Sequence, residues 1–305
     1  MIKRTIVCAL ITSIDNKVLF GKKGDSRGGV YLDKWHIPGG GVEEGEEHSE
    51  TLIREVMEET GINISSARIS LADDLGSATT SKKLPSGEFV PCQMQFYVYN
   101  VKLSQKADEV KIRPGDDFAE LLWVPINKVN DYPLTPPSVS LFLRLGLLNS
   151  EQALQQRQFT NADQDPVPFH NQELSWRVSA YVFVIKDDKL LVIKNRLEKL
   201  HDIVGGGIEF GETIEDALSR EALEEAGVKV KLGELKHAAL DWFYHKKGTY
   251  HQTLQLFFLA EPIGNLVKPT DPDIDWVGFV GIDEVGTKYR LPPVAENLIR
   301  KIYEK

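Results

Sequence analysis

The segment GGGVEEGEEHSETLIREVMEETGI, Gly39 to Ile62, is almost restated from Gly205 as GGGIEFGETIEDALSREALEEAGV. A chain that writes one such segment twice is constrained to fold as two copies of one unit. The likeness extends to the flanks. Before each copy, two apolar runs surround a turn of Asp, Asn and Lys, in TIVCALITSIDNKVLFGKK and VSAYVFVIKDDKLLVIKN, the pattern of a β-hairpin. After each copy comes a β-rich run, QMQFYVYNVKL or TLQLFFLAEPI, and then a strand-like Trp-Val pair, Trp123-Val124 or Trp276-Val277. Prolines then open a helical pattern in LTPPSVSLFLRLGLL and LPPVAENLIRKIYEK. Each copy is therefore an α/β unit of about 130 to 150 residues, far longer than a solenoid repeat. The polar, Gln- and Asn-rich stretch between them reads as a linker with a short helix at its start. The expected organisation is a first domain over 1–150, a linker over 151–174 and a second domain over 175–305.

On a helix, residues three and four apart share a face, so Glu55, Glu58 and Glu59 converge, and Glu221, Glu224 and Glu225 repeat that spacing. Like charges placed this way cost a bare helix roughly 0.2–0.5 kcal/mol per pair. No cation stands among either set of three. A solvated charged face explains one such cluster well enough. Two copies, each behind a glycine run whose backbone can approach a ligand closely, point instead to a bound divalent cation. Carboxylates with no His or Cys among them suit Mg²⁺ or Mn²⁺ rather than zinc. On this reading the metal relieves the repulsion.

Composition narrows the partners. The 305 residues are 42% hydrophobic, enough for two cores. A net charge of −9 argues against general nucleic-acid binding and leaves room for a small phosphorylated molecule held by local basic residues. Cys8 and Cys92 form no CxxC pair, which fits a reducing cytoplasm better than a disulfide framework. Lys3 and Arg4 before an apolar run imitate a signal peptide, but the similar run VSAYVFVI lies mid-chain, so a strand is the better reading of both. No apolar stretch approaches the ~20 residues of a membrane-spanning helix. The expectation is a cytoplasmic chain without a membrane partner.

Written as spacing, G-x5-E-x7-R-E-U-x-E-E-x-G-U, with U a bulky aliphatic, covers Gly40 to Ile62 and Gly206 to Val228. Its fixed residues are Glu46, Arg54, Glu55, Glu58, Glu59 and Gly61 in the first copy. Glu212, Arg220, Glu221, Glu224, Glu225 and Gly227 hold those places in the second. This resembles the signature box of the Nudix hydrolases at every fixed charged and glycine position. The resemblance implies an α/β (α+β) chain of two α/β/α sandwich domains, each a mixed sheet between helices, with the box as a loop–helix–loop. It implies hydrolysis of a nucleoside diphosphate linked to another moiety (a nucleoside triphosphate, nucleotide sugar or dinucleotide) with Mg²⁺ or Mn²⁺. Carried over by position, it makes Glu55, Glu58, Glu59 and the Gly39 carbonyl metal ligands, and Glu221, Glu224, Glu225 and the Gly205 carbonyl likewise. Arg54 and Arg220 would hold Glu46 and Glu212 in structural ion pairs. A carboxylate from a later loop often joins such a site as ligand or base. Glu120 and Asp273, each three residues before the repeated Trp, are the matched candidates, with Asp116, Asp117, Asp271 and Asp275 competing. The catalytic base is then a box glutamate, Glu58 or Glu224, or the late-loop acid.

The copies depart from each other in places that bear on substrate. The first reads WHIPGGG and the second HDIVGGG, with Val204 for the proline, and Ala222 replaces a larger aliphatic. The first also carries the longer segments GDSRGGVYLDKW and GSATTSKKLPSGEF, natural places for selectivity. Lys22, Lys23 and Arg27, and Lys194 as the counterpart of Lys22, serve either phosphate contact or surface solubility. Trp242, Phe243 and Tyr244 serve either base stacking or strand packing. His36, His201 and His245 show no triad spacing. The alternative to an enzyme is a nucleotide-sensing protein with little turnover in one or both domains.

Overall fold

The computed structural model describes residues 2–24, 31, 33–83, 89–115, 117–169 and 172–303. They divide into two units, Met1–Arg157 and Gln158–Lys305. The first is built around β1 (Ile2–Thr12), whose alternation sends Val7, Ala9 and Ile11 to one face and Cys8 and Leu10 to the other. The chain reverses through Asn16, at φ 56°, into β2 (Lys17–Lys23). The strands β3 (Trp35–His36), β4 (Gly39–Gly41), β5 (Arg68–Asp73), β6 (Ser77–Lys83), β7 (Phe89–Lys102) and β8 (Phe118–Pro125) complete one sheet. It is mixed: β1 runs parallel to β7 but antiparallel to β2 and β4.

Helices cover both faces. On one, Leu52 and Val56 of α1 (His48–Thr60) pack onto Val7, Ala9, Ile11 and Leu19. On the other, Val139 and Phe142 of α2 (Pro136–Arg144) and Ala153 of α3 (Ser150–Gln155) join Leu10, Val18 and Phe20. The start of α1 is closed by the Glu50 carboxylate, which accepts the Glu47 N–H at 2.9 Å. Its end is closed by Gly61 at φ 72°, whose N–H donates to the Met57 carbonyl.

The second unit repeats the plan. Its strands are β9 (Phe159–Thr160), β10 (Pro166–Val167), β11 (Leu174–Lys186), β12 (Lys189–Asn195), β13 (Val204–Gly207), β14 (Lys229–His245), β15 (Thr249–Ile263) and β16 (Ile274–Gly281). The β11–β12 turn uses Asp187 and Asp188, both at positive φ, and β11 runs parallel to β15. Leu218, Ala222 and Ala226 of α4 (Ile214–Ala226) cover one face of the sheet. Ala295, Leu298 and Ile299 of α5 (Pro293–Tyr303) cover the other. The α/β/α sandwich with a mixed sheet, expected twice, is present twice.

Two sequence expectations meet structural detail here. The stretch 151–174 carries most of α3, which joins the first core, and β9 and β10, which extend the second sheet beside β14. The two Trp-Val pairs lie on strands, but they are not counterparts. Trp123 opposes Leu19 on β2, whereas Trp276 opposes Lys194 on β12, and Lys22, the counterpart of Lys194, opposes Glu120. Sequence likeness around a single large residue slipped the register by three positions, because both tryptophans satisfy the same strand preference at different rungs.

Candidate active site

Each carboxylate cluster is assembled where a glycine strand meets the middle of a helix. β4 lies against β1, with Gly39, Gly40 and Gly41 opposite Cys8, Val7 and Ile6. Gly39 has φ 149°, and a Cβ there would fall 2.3 Å from the Val7 carbonyl oxygen. A Cβ on Gly40 would fall 2.2 Å from the Glu55 carboxyl carbon. The backbone thus passes Glu55 at a distance only glycine permits. The Gly39 N–H donates to Glu59 at 2.8 Å, tying the loop to the helix. In the second unit, the Gly205 N–H donates to Glu225 at 3.0 Å, and a Cβ on Gly206 would fall 2.4 Å from Glu221.

The cation missing among the three glutamates is the arginine immediately before them. Arg54 donates through Nε and Nη2 to both oxygens of Glu46, at 2.7 and 2.8 Å. Its Nη1 reaches Glu55 at 2.9 Å and Glu58 at 3.2 Å. Arg220 repeats the arrangement with Glu212 at 2.7 and 3.0 Å, Glu221 at 2.9 Å and Glu224 at 3.3 Å. The repulsion read from the sequence is therefore eased first by a side chain of the chain itself. Glu46 and Glu212 are held down at about 2, chiefly by the arginine hydrogen bonds.

Burial separates the carboxylates by character. Glu58 and Glu224 are each 48% exposed, while Glu55 and Glu59 are buried. Burial pushes Glu59 up to about 8, with Glu55 and Asp117 adding to the rise and the Gly39 N–H and Lys23 opposing it. Glu225 is raised well above the usual carboxylate range by burial, with Glu221, Asp202 and Asp271 contributing. The all-oxygen chemistry of the set beside a glycine cradle suits a hard divalent cation, although among the described residues no three Asp, Glu, His or Cys side chains are gathered closely enough to hold one.

The late-loop acids are placed differently from the sequence expectation. Glu120 lies on β8 and pairs with Lys22 at 2.7 Å, and Lys22 also sits 5.1 Å from the Trp35 ring centre. Asp273 pairs with Lys246 at 2.5 Å. Among the late-loop acids, those whose charge bears on Glu59 and Glu225 are Asp117, which is ion-paired with Lys23, and Asp271. By strand register the counterpart of Asp273 is Asp117, since each precedes the residue opposite Lys23 or Asn195. Asp275 pairs with Arg196, and Asp116 lies outside the described residues.

Of the substrate candidates, Lys194 donates to the carbonyls of Glu198 and Leu200 within its own loop, and Arg27 lies outside the described residues. Alternation along β14 sends Asp241, Phe243 and His245 into a cavity beside Glu225. Trp242 and Tyr244 fall on the opposite face, where the Tyr244 ring lies 4.8 Å from that of Tyr250. Arg4 and Arg177 were missed. Each guanidinium would stand 2.2 Å from a Cβ on the third glycine, Gly41 or Gly207. Their signal was in the sequence, as an arginine at the same place in each repeat, in RTIVC and RVSAY.

The chain matches the NUDIX domain over residues 2–145 and 175–302. It is 32% identical over 151 residues to the nucleoside triphosphatase NudI of Escherichia coli (strain K12), which spans 48% of this chain and 100% of that protein. NudI of Escherichia coli O139:H28 gives the same figures. Among solved structures, a MutT NUDIX hydrolase from Burkholderia pseudomallei is 19% identical, covering 42% of this chain and 98% of its own, with a TM-score of 0.36. The MutT protein from Methanosarcina mazei Go1 is 21% identical, covering 49% and 96%, with a TM-score of 0.37.

Proposed function

The chain belongs to the NUDIX family, hydrolases of phosphorus anhydrides, and from that premise we propose that each half cleaves the pyrophosphate bond of a nucleoside diphosphate derivative with Mg²⁺ or Mn²⁺. A nucleoside triphosphate is the favoured substrate class. The observation that carries this reading is the doubled constellation itself. In both halves a glutamate is tied to a glycine N–H, and an arginine clamps three further carboxylates with nearly identical distances.

Glu55, Glu58, Glu59 and the Gly39 carbonyl would hold the cation in the first half, and Glu221, Glu224, Glu225 and the Gly205 carbonyl in the second. When bound, the cation neutralises the diphosphate oxygens and favours attack by water. Glu46 and Glu212 anchor the arginines, and the arginines in turn hold Glu55 and Glu58, or Glu221 and Glu224, by hydrogen bonds. Glu58 and Glu224, the most exposed of the sets, would accept the proton of the attacking water. Asp117 and Asp271 are the second candidates for that step.

The test is phosphate or pyrophosphate release from a nucleotide panel, run on wild type, Glu59→Gln, Glu225→Gln and the double variant. Metal-dependent release that the double variant loses supports the reading. Tight nucleotide binding without turnover in wild type would replace it with the sensor alternative.

A further inference from the structure

Beside each carboxylate cluster lies a cavity, about 370 Å³ in the first half and about 470 Å³ in the second. Both are large enough for an organic moiety of nucleobase size. Gly39 lines the first, and Gly205 and Glu225 line the second, so each cavity adjoins its own proposed hydrolytic centre.

Strand register lets the two walls be compared position by position. Ile6 opposes Gly41 as Ser179 opposes Gly207, and Cys8 opposes Gly39 as Tyr181 opposes Gly205. Phe96 and Gln255 are the parallel partners of Ile6 and Ser179. Ala78 pairs with Met94 where Asp241 pairs with Thr253. His36 opposes Gly21 as Asp202 opposes Ile193. At all five positions the second half carries an oxygen-bearing side chain that the first half lacks.

Charge follows the same division. The described lining of the first cavity includes Lys23, Arg144 and Arg157 and no carboxylate. Lys23 and Arg144 are paired with Asp117 and Asp73, which do not line it. Burial pushes His36 down to about 4, so that ring stays neutral near neutral pH. The second cavity is lined by Glu198, Asp202, Glu225 and Asp241, with Arg177 as the cation among its described residues. Asp202 accepts the Ile203 N–H at 2.8 Å and Asp241 accepts the Trp242 N–H at 2.9 Å, each through one oxygen. Gln255 donates to the other oxygen of Asp241 at 3.3 Å. The Asp202 and Asp241 side chains are both half-buried and line the cavity.

We propose that the two halves act on different compounds. The second selects a diphosphate compound whose distal moiety presents N–H donors, an amino-bearing nucleobase. The first takes a moiety that is apolar or carbonyl-faced. This inference rests on the hydrolase reading of the box. An amino group facing the ionised Asp202 and Asp241 gives their oxygens a further donor, whereas a carbonyl in its place sets like partial charges together. The wall of Ile6, Ala78 and Phe96 offers an amino group no carboxylate, and the side-chain acceptors elsewhere in the first cavity are neutral hydroxyls such as Ser77, Thr135 and Ser140.

The test compares CTP with UTP and ATP with ITP, near-isosteric pairs that exchange an amino group for a carbonyl. Glu59→Gln silences the first centre and isolates the second, and Glu225→Gln does the reverse. With Glu59→Gln, kcat/KM should favour the amino member by at least about tenfold. Adding Asp202→Asn or Asp241→Asn should bring that ratio toward one while circular dichroism stays unchanged. With Glu225→Gln the ratio should be one or below. Equal ratios in the two silenced variants overturn the inference and leave the hydrolase reading standing. If wild type hydrolyses none of the four, that reading fails instead. Calorimetric binding of the same pairs to the same variants then decides selectivity without turnover, equal affinities overturning it.

Discussion

Gly40 shapes the site by what it lacks. Any Cβ there meets the Glu55 carboxyl group, the far end of a flexible side chain, rather than rigid backbone. Gly40→Ala should therefore fold with little change in melting temperature, yet displace Glu55 and lose at least about tenfold in metal-dependent hydrolysis by the first half. Gly206→Ala should act likewise on the second. A melting temperature lowered by much more than ~4 °C, the shift of a ~1 kcal/mol loss, would mean that the backbone moves instead. Arg54 makes a prediction of a different kind. Its planar fork bonds Glu46 through two nitrogens while a third reaches Glu55 and Glu58, which a point-charge ammonium cannot reproduce. Arg54→Lys should lose about 10- to 100-fold in activity and need more Mg²⁺ for half-saturation, read from a Mg²⁺ titration on a Glu225→Gln background. Activity unchanged in the lysine variant would show that charge alone suffices.

The helices and strands hold these residues through local devices. Thr213 caps α4, its hydroxyl accepting the Asp216 N–H at 3.1 Å while Asp216 accepts the Thr213 N–H at 3.1 Å. Thr213→Ala should cost about 1 kcal/mol in urea unfolding of the second unit. In the first unit, Arg144 at the end of α2 bonds both oxygens of buried Asp73 at the end of β5, at 2.7 Å each. That hydrogen bonding lowers the Asp73 carboxyl below its ordinary range. A depressed folded-state carboxyl contributes stability that is fully present above its unfolded value, roughly pH 3.9, and is lost as pH falls through the lower folded value. The urea midpoint of wild type should therefore fall more steeply between pH 7 and pH 3 than that of Asp73→Asn. Parallel slopes would remove the pair from the account. The elements themselves were largely legible in the sequence, since hairpin turns at Asn16 and Asp187-Asp188, proline helix starts and glycine helix ends are local signals. Which rung of β8 matches which rung of β16 was not legible. A strand tryptophan satisfies the same preference three residues along, and only cross-strand pairing tells the positions apart.

Each unit owns a sheet, two covering helix layers and a core, so each should fold alone. Separate chains of residues 1–157 and 158–305 are expected to unfold cooperatively by circular dichroism and to keep their own substrate preferences. A fragment that stays unfolded would show that its core depends on the rest of the chain. The repeat, the converging glutamates and the glycine loop were all readable in advance, because helical spacing of three and four is set by local backbone geometry. Folding decided which acid stands near Glu59 or Glu225, that Phe243 rather than Trp242 faces the second cavity, and that carboxylates line the second cavity while cations, hydroxyls and apolar groups line the first. Those walls join residues far apart in the chain, such as Tyr181, Asp202, Asp241 and Gln255, and strand register, which no local pattern encodes, makes them neighbours.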